Sequence, residues 1–149
     1  MKVIFLDIDW ALTTKESKLK HFVTEAVIIL KEIINETWAQ LVICSSWKYA
    51  RYEELFLQFQ LHKIPMWIDT TKKSFWTKRM RREDEILQWV EWNKPTHWLV
   101  IDDCYFEMPK IKELNKIIQP NSLVWLTYLD LNKAVEILGW PIDLSLIEL

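Results

Sequence analysis

The sequence predicts an α/β protein in which a five-stranded parallel sheet lies between two layers of helices, a three-layer α/β/α sandwich. Three observations predict it. Short apolar runs alternate five times with longer segments whose apolar residues recur at helical spacing. The strand runs are apolar throughout rather than alternately polar, as expected for strands buried on both faces. The links are short, and no repeat, low-complexity tract or composition shift divides the 149 residues, so 1–149 reads as a single domain.

The elements follow in order. "KVIFL" (2–6) is too short for a helix and suits a buried strand. Residues 22–36 carry apolar side chains at helical spacing, and "AQLVICS" (39–45) is the second strand. A helix is expected over 49–62, then a short strand over 64–69 with Pro65 near its start. Residues 83–93 open with acids, which suits a helix N-terminus. "THWLVID" (96–102) is the fourth strand, followed by a helix over about 108–118 and a fifth strand over 122–127. A last helix, 131–139, is closed by Gly139 with Pro141 just beyond.

Composition narrows the function classes. Half the residues are hydrophobic and 27% are charged, the balance of a soluble globular protein. A net charge of -2 gives no global drive toward nucleic acid. Cys44 and Cys104, each attached to an apolar run, read as buried free thiols of a reducing compartment. No apolar stretch has transmembrane length and the start lacks a signal-peptide pattern, so the expected address is cytoplasmic, without membrane contact. The three histidines have no spacing that pairs them with cysteine as a zinc site. One feature is abnormal: a single glycine stands against ten tryptophans, where ordinary usage is roughly 7% glycine. Trp38, Trp67 and Trp92 fall near element ends, where glycine commonly supplies a cap or turn. An unusual lineage or an engineered sequence would each produce this.

The polar exceptions gather at strand ends. The first strand ends at Asp7 and Asp9, the second at Ser45 and Ser46, the fourth at Asp102 and Asp103. In open α/β sheets, ligands bind beyond the carboxyl ends of the strands, near the point where strand order reverses. Aspartate also favours turns, so one acidic strand end means little. Two such ends would set four carboxylates against one another unless a cation lay between them. Oxygen ligands without histidine point to Mg²⁺.

Together, "DIDWALTT", "VICSSWK", "RREDEILQW" and "LVIDDC" resemble the four motifs of the haloacid dehalogenase (HAD) superfamily. They are most similar to a small capless branch with DIDGVL, SSWR, RGxEIxxWL and LDDD signatures. The resemblance spans nearly the whole chain and implies a Rossmann-like fold and a Mg²⁺-dependent phosphomonoester hydrolase working through an aspartyl-phosphate. It makes Asp7 the nucleophile, Asp9 the general acid/base, Ser45 the holder of a phosphate oxygen and Arg82 the stabiliser of developing charge. Mg²⁺ would be held by Asp7, Asp102, Asp103 and the backbone carbonyl of Asp9. Trp47 falls where the branch also has tryptophan.

Four residues depart from the pattern. Trp10 replaces glycine directly after the second aspartate, at a strain cost of about 1–3 kcal/mol if a positive φ is needed there. Glu83 replaces glycine and sets a negative charge beside Arg82. Lys48 replaces arginine, keeping the charge but losing the bidentate fork. Cys104 replaces a third acid. The alternative function is therefore a catalytically weak or inactive HAD-like scaffold, natural or engineered, with a structural or interaction role. In the enzyme reading, the ring of Trp10 is expected to turn away from the metal. The stretch 72–82, "KKSFWTKRMRR", carries six basic residues with Phe75 and Trp76 between them. A solvated loop is the first reading, and a patch for a polynucleotide end is the second. A phosphorylated substrate of unknown size is the expected partner, and the expected state is a monomer or weak homodimer.

Overall fold

The computed structural model describes residues 1–9, 11–13, 21–72, 80–103, 107–120 and 126–140. Its strands are β1 (Lys2–Leu6), β2 (Gln40–Ile43), β3 (Asp69–Thr70), β4 (His97–Ile101) and β5 (Ile117–Ile118). The helices are α1 (Thr24–Thr37), α2 (Trp47–Ala50), α3 (Tyr52–Leu61), α4 (Arg82–Asn93), α5 (Pro109–Glu113) and α6 (Tyr128–Leu138). All five strands are parallel, in the order β3-β2-β1-β4-β5. The chain builds outward from β1 to β3, then returns to the other side of β1 for β4. The order therefore reverses between β1 and β4, the place beyond whose carboxyl ends open α/β sheets bind ligands.

Alternation along the buried strands sorts the core into two layers. Ile4, Leu6, Leu41, Ile43, Leu99 and Ile101 face α1, α3 and α6, joined there by Leu30, Ile33, Phe59 and Leu138. Val3, Phe5, Val42 and Val100 face the other way, onto Ile86 and Trp89 of α4 and Ile111 of α5. Phe5 meets Trp89 and Trp98 edge-on, at centroid distances of 5.4 and 6.0 Å. These contacts fit the expected sandwich, with Trp89 packed on the sheet. No described helix is long and apolar enough to cross a membrane.

Four elements differ from the sequence reading. The helix expected over 49–62 starts at Trp47 and breaks at Arg51 (φ -139°, ψ 38°), whose guanidinium lies over the Trp47 ring. The third strand is Asp69–Thr70 rather than 64–69; in the register Val42 to Asp69, residues 64–66 fall opposite 37–39, before β2 begins at Gln40. The helix expected over 108–118 stops at Glu113; Asn115 adopts a left-handed turn (φ 60°), and Ile117–Ile118 becomes the edge strand β5. Of the strand expected over 122–127, residues 122–125 lie outside the described set. Leu126 is buried, and Thr127 caps α6 in a box with Asp130 rather than pairing in the sheet. Gly139 closes α6 as expected, at φ 74°.

Trp38 ends α1 in the left-handed conformation (φ 59°, ψ 24°), its N–H bonded to the Ile34 carbonyl at 2.8 Å, with 68% of the residue exposed. A side chain there costs about 1–2 kcal/mol, and this indole recovers little by burial. Trp38→Gly should therefore raise the melting temperature by a few degrees, read by circular dichroism. An unchanged or lower value would contradict this account of the cap.

Candidate active site

The sheet itself sets the first two carboxylates. One residue past β1, the Asp7 N–H still bonds the Ile101 carbonyl at 2.9 Å; one residue past β4, the Asp102 N–H bonds the Ile118 carbonyl at 3.1 Å. Both side chains are therefore fixed on either side of the switch point and kept from water, Asp102 wholly and Asp7 nearly so. Asp103 follows, partly exposed. Asp7, Asp102 and Asp103 each bring one oxygen within 4.8 Å of the others, a group able to hold a metal ion.

Arg82, the first residue of α4, reaches into this group. Its Nη1 lies 2.7 Å from Asp102 Oδ2 and 3.5 Å from Asp7 Oδ1. Burial works against its charge, but Asp7 and Asp102 outweigh that and hold it more firmly protonated than a free arginine. Asp7 is still pushed well above the usual carboxylate range, first by burial and then by Asp102, with Arg82 opposing. One guanidinium does not balance the carboxylates around it. The Cys44 thiol is likewise raised, by burial first and the same acids next, which suits an inert core cysteine.

Asp9 stands apart from the converging oxygens. Its carboxylate accepts the indole N–H of Trp47 at 2.8 Å, so of the expected metal-binding residues only Asp7, Asp102 and Asp103 converge through their side chains. Ser45 is buried at the end of β2, where its Oγ accepts the Trp47 backbone N–H at 3.2 Å. An accepting hydroxyl keeps its own proton to donate.

Glu83 does not use its charge on Arg82. Its Oε2 accepts the backbone N–H groups of Lys110 and Ile111, at 2.9 and 3.2 Å, and satisfies the first turn of α5. Lys48 is also turned to another use. Its Nζ bonds Glu85 Oε1 at 3.1 Å and Thr71 Oγ1 at 2.9 Å, with both charged side chains almost fully buried. This pair ties α2, which follows Ser45, to α4, which carries Arg82. Reading the residues singly missed Glu85 and Thr71, although the Lys48 and Glu85 positions both occur in the HAD-like signatures. Trp10, Cys104 and residues 73–79 of the basic stretch lie outside the described residues, so the expected orientation of the Trp10 ring has no structural counterpart. Of the histidines, His62 stacks on Phe22, and among the described residues none joins the acidic group.

Two outcomes follow from this electrostatic arrangement. Glu85→Gln should cost about 3–5 kcal/mol in urea unfolding by leaving Lys48 buried without its counter-charge, whereas Lys48→Met with Glu85→Leu should recover most of it. A cost under about 1 kcal/mol would show that the pair is not held out of water. For Asp7, the folded-state pKa lies above the unfolded value, so the folded state binds the extra proton and stability falls as pH rises through that window. Metal-free Asp7→Asn should therefore melt higher than the parent at about pH 8, and the two should converge as the pH falls toward about 4. A variant that melts lower at the alkaline end would contradict the burial argument.

The family model for the HAD domain in Swiss Army Knife RNA repair proteins matches residues 3–131, which takes in the sheet from Val3 onward and every acidic residue described above. Searches of curated proteins and of solved structures found no match. With this match over most of its length and the parallel sheet carrying the acidic group at its switch point, the chain belongs to the HAD superfamily, in the family of HAD domains found in Swiss Army Knife RNA repair proteins.

Proposed function

We propose that the protein is a Mg²⁺-dependent phosphomonoester hydrolase that works through an aspartyl-phosphate on Asp7. Family membership supports hydrolase chemistry of the phosphatase type. The observation that carries the reading further is the convergence of Asp7, Asp102 and Asp103 within 4.8 Å, with Arg82 against them. The donor set is all carboxylate oxygen, without histidine or thiol, which fits a hard cation such as Mg²⁺ held by these three residues. Such an ion, when bound, supplies positive charge for the phosphoryl oxygens.

The chain's own groups supply the rest. An Asp7 oxygen forms a bond to phosphorus as the bond to the leaving oxygen breaks, and Asp9 gives that oxygen its proton. Water then attacks the acyl phosphate, returns a proton to Asp9, and frees Asp7 and inorganic phosphate. Arg82, held charged by its neighbours, stabilises the equatorial oxygens, and the Ser45 hydroxyl donates to one of them. The family's description names RNA repair, which favours a polynucleotide end as the phosphorylated substrate, with the basic residues of 72–82 as its contact. A cytoplasmic address and a monomeric or weakly dimeric state accompany this proposal.

The second reading, an inactive scaffold, is favoured by Trp10 after the catalytic aspartates. Purified protein and its Trp10→Gly variant, assayed on p-nitrophenyl phosphate with and without Mg²⁺, separate the two. The enzyme reading expects Mg²⁺-dependent turnover in at least the glycine variant, lost to background in Asp7→Asn. Turnover that survives Asp7→Asn removes the nucleophile assignment, and silence from both proteins across a panel of phosphomonoesters favours the scaffold.

A further inference from the structure

We propose that Trp47 is a positioning residue that fixes which oxygen of Asp9 carries the proton in leaving-group protonation; this rests on the phosphohydrolase reading above. Asp9 lies in a turn beyond the last sheet hydrogen bond of β1, so the strand does not orient its side chain. Trp47 does. Its Nε1 donates to Asp9 Oδ1 at 2.8 Å, and only 2% of the residue is exposed. The ring is fixed by Phe22 at 6.0 Å and by the Arg51 guanidinium at 5.1 Å. The backbone N–H of the same residue bonds Ser45 Oγ at 3.2 Å, so one residue sets both a phosphate-side hydroxyl and the acid.

An indole N–H only donates, and in a protonated carboxyl the carbonyl oxygen is the stronger acceptor, so the bond favours the oxygen that bears no proton. While Oδ1 accepts from Trp47, the transferable proton of Asp9 sits on Oδ2. From there it passes to the leaving oxygen as the phosphorus bond breaks, and Oδ2 then takes a proton from the attacking water.

Leaving-group dependence tests this. Trp47→Phe keeps the packed ring and removes the donor. Its kcat should fall about tenfold or more on a simple alkyl phosphate, whose leaving group needs protonation, and less than about threefold on p-nitrophenyl phosphate, whose leaving group does not. KM should hold for both. Equal loss on both substrates, or no loss on either, overturns the positioning role while leaving the hydrolase reading intact. A parent and Trp10→Gly variant that cleave neither substrate overturn both. Independently of activity, the Trp47 indole N–H resonance should move upfield in Asp9→Ala; an unmoved resonance overturns the contact.

Six of the seven described tryptophans also divide into two sets, with Trp67 half-buried between them. Trp47, Trp89 and Trp98 are buried, with the indoles of the first two bonded to Asp9 and Asp69 and the third edge-on to Phe5. Trp38, Trp92 and Trp140 are exposed, and Trp38 holds a φ of 59° that favours glycine. A single glycine in 149 residues is far below the roughly 7% of an ordinary chain, while tryptophan occurs ten times. We infer that the native protein carries glycine at position 38, and at position 10 where the DIDGVL signature that the chain resembles has glycine, from UGA codons that its cell reads as glycine. UGA is one base from the glycine codon GGA and one from the tryptophan codon UGG. Peptide mass spectrometry of the protein isolated from its own cells should show glycine at 10 and 38 and tryptophan at 47 and 89. Tryptophan at either 10 or 38 overturns the inference.

Discussion

Asp7 and Asp102 are held side by side, out of water, by the two innermost strands of a parallel sheet. Each is fixed by a backbone hydrogen bond to the next strand, so neither can swing away without breaking the sheet. Like charges in that position are unfavourable, and the burden falls on Asp7, whose carboxyl is pushed up by burial and by its neighbour. The site is thus a local defect that the surrounding fold is built to tolerate, a common trade of stability for function.

The supporting structure can be followed outward from that constraint. Arg82 answers part of the charge, and it does so from the first turn of α4, whose position depends on Ile86 and Trp89 packing under Phe5. The buried Lys48–Glu85 pair joins α4 to the segment after β2. Glu83, one residue beyond Arg82, anchors the start of α5 and so the segment returning to β5, against which Asp102 is pinned. Three features of the first turn of α4 therefore serve one end of the sheet. The indole of Trp47 performs the same service for Asp9, which the sheet does not reach.

Much of this was legible in the sequence, for physical reasons. Runs such as residues 2–6 and 97–101 are dominated by apolar side chains because both faces of the strand are covered, and a strand with one wet face would alternate instead. The acidic pairs stood out because charge at the end of such a run needs a cause. What the pattern concealed were short elements and long-range partners. Ile111, Ile117 and Ile118 look like one helical stripe, and only the left-handed turn at Asn115 converts the last two into a strand. Trp47 matches the tryptophan of the related signature, but its bond to a residue 38 positions away cannot be read from spacing. Glu83 looked like a charge misplaced beside Arg82 because its true partners, the N–H groups of Lys110 and Ile111, lie across the fold.

The central claim is that the converging carboxylates are arranged for a cation. Calorimetric titration of Mg²⁺ into metal-stripped protein, alongside Asp103→Asn, tests it most directly. The variant removes charge from the partly exposed member of the group and leaves the buried pair with Arg82 in place. The account predicts saturable binding in the millimolar range or tighter, weakened at least tenfold by the substitution. Absence of saturable heat at millimolar Mg²⁺, or identical isotherms for the two proteins, would contradict it.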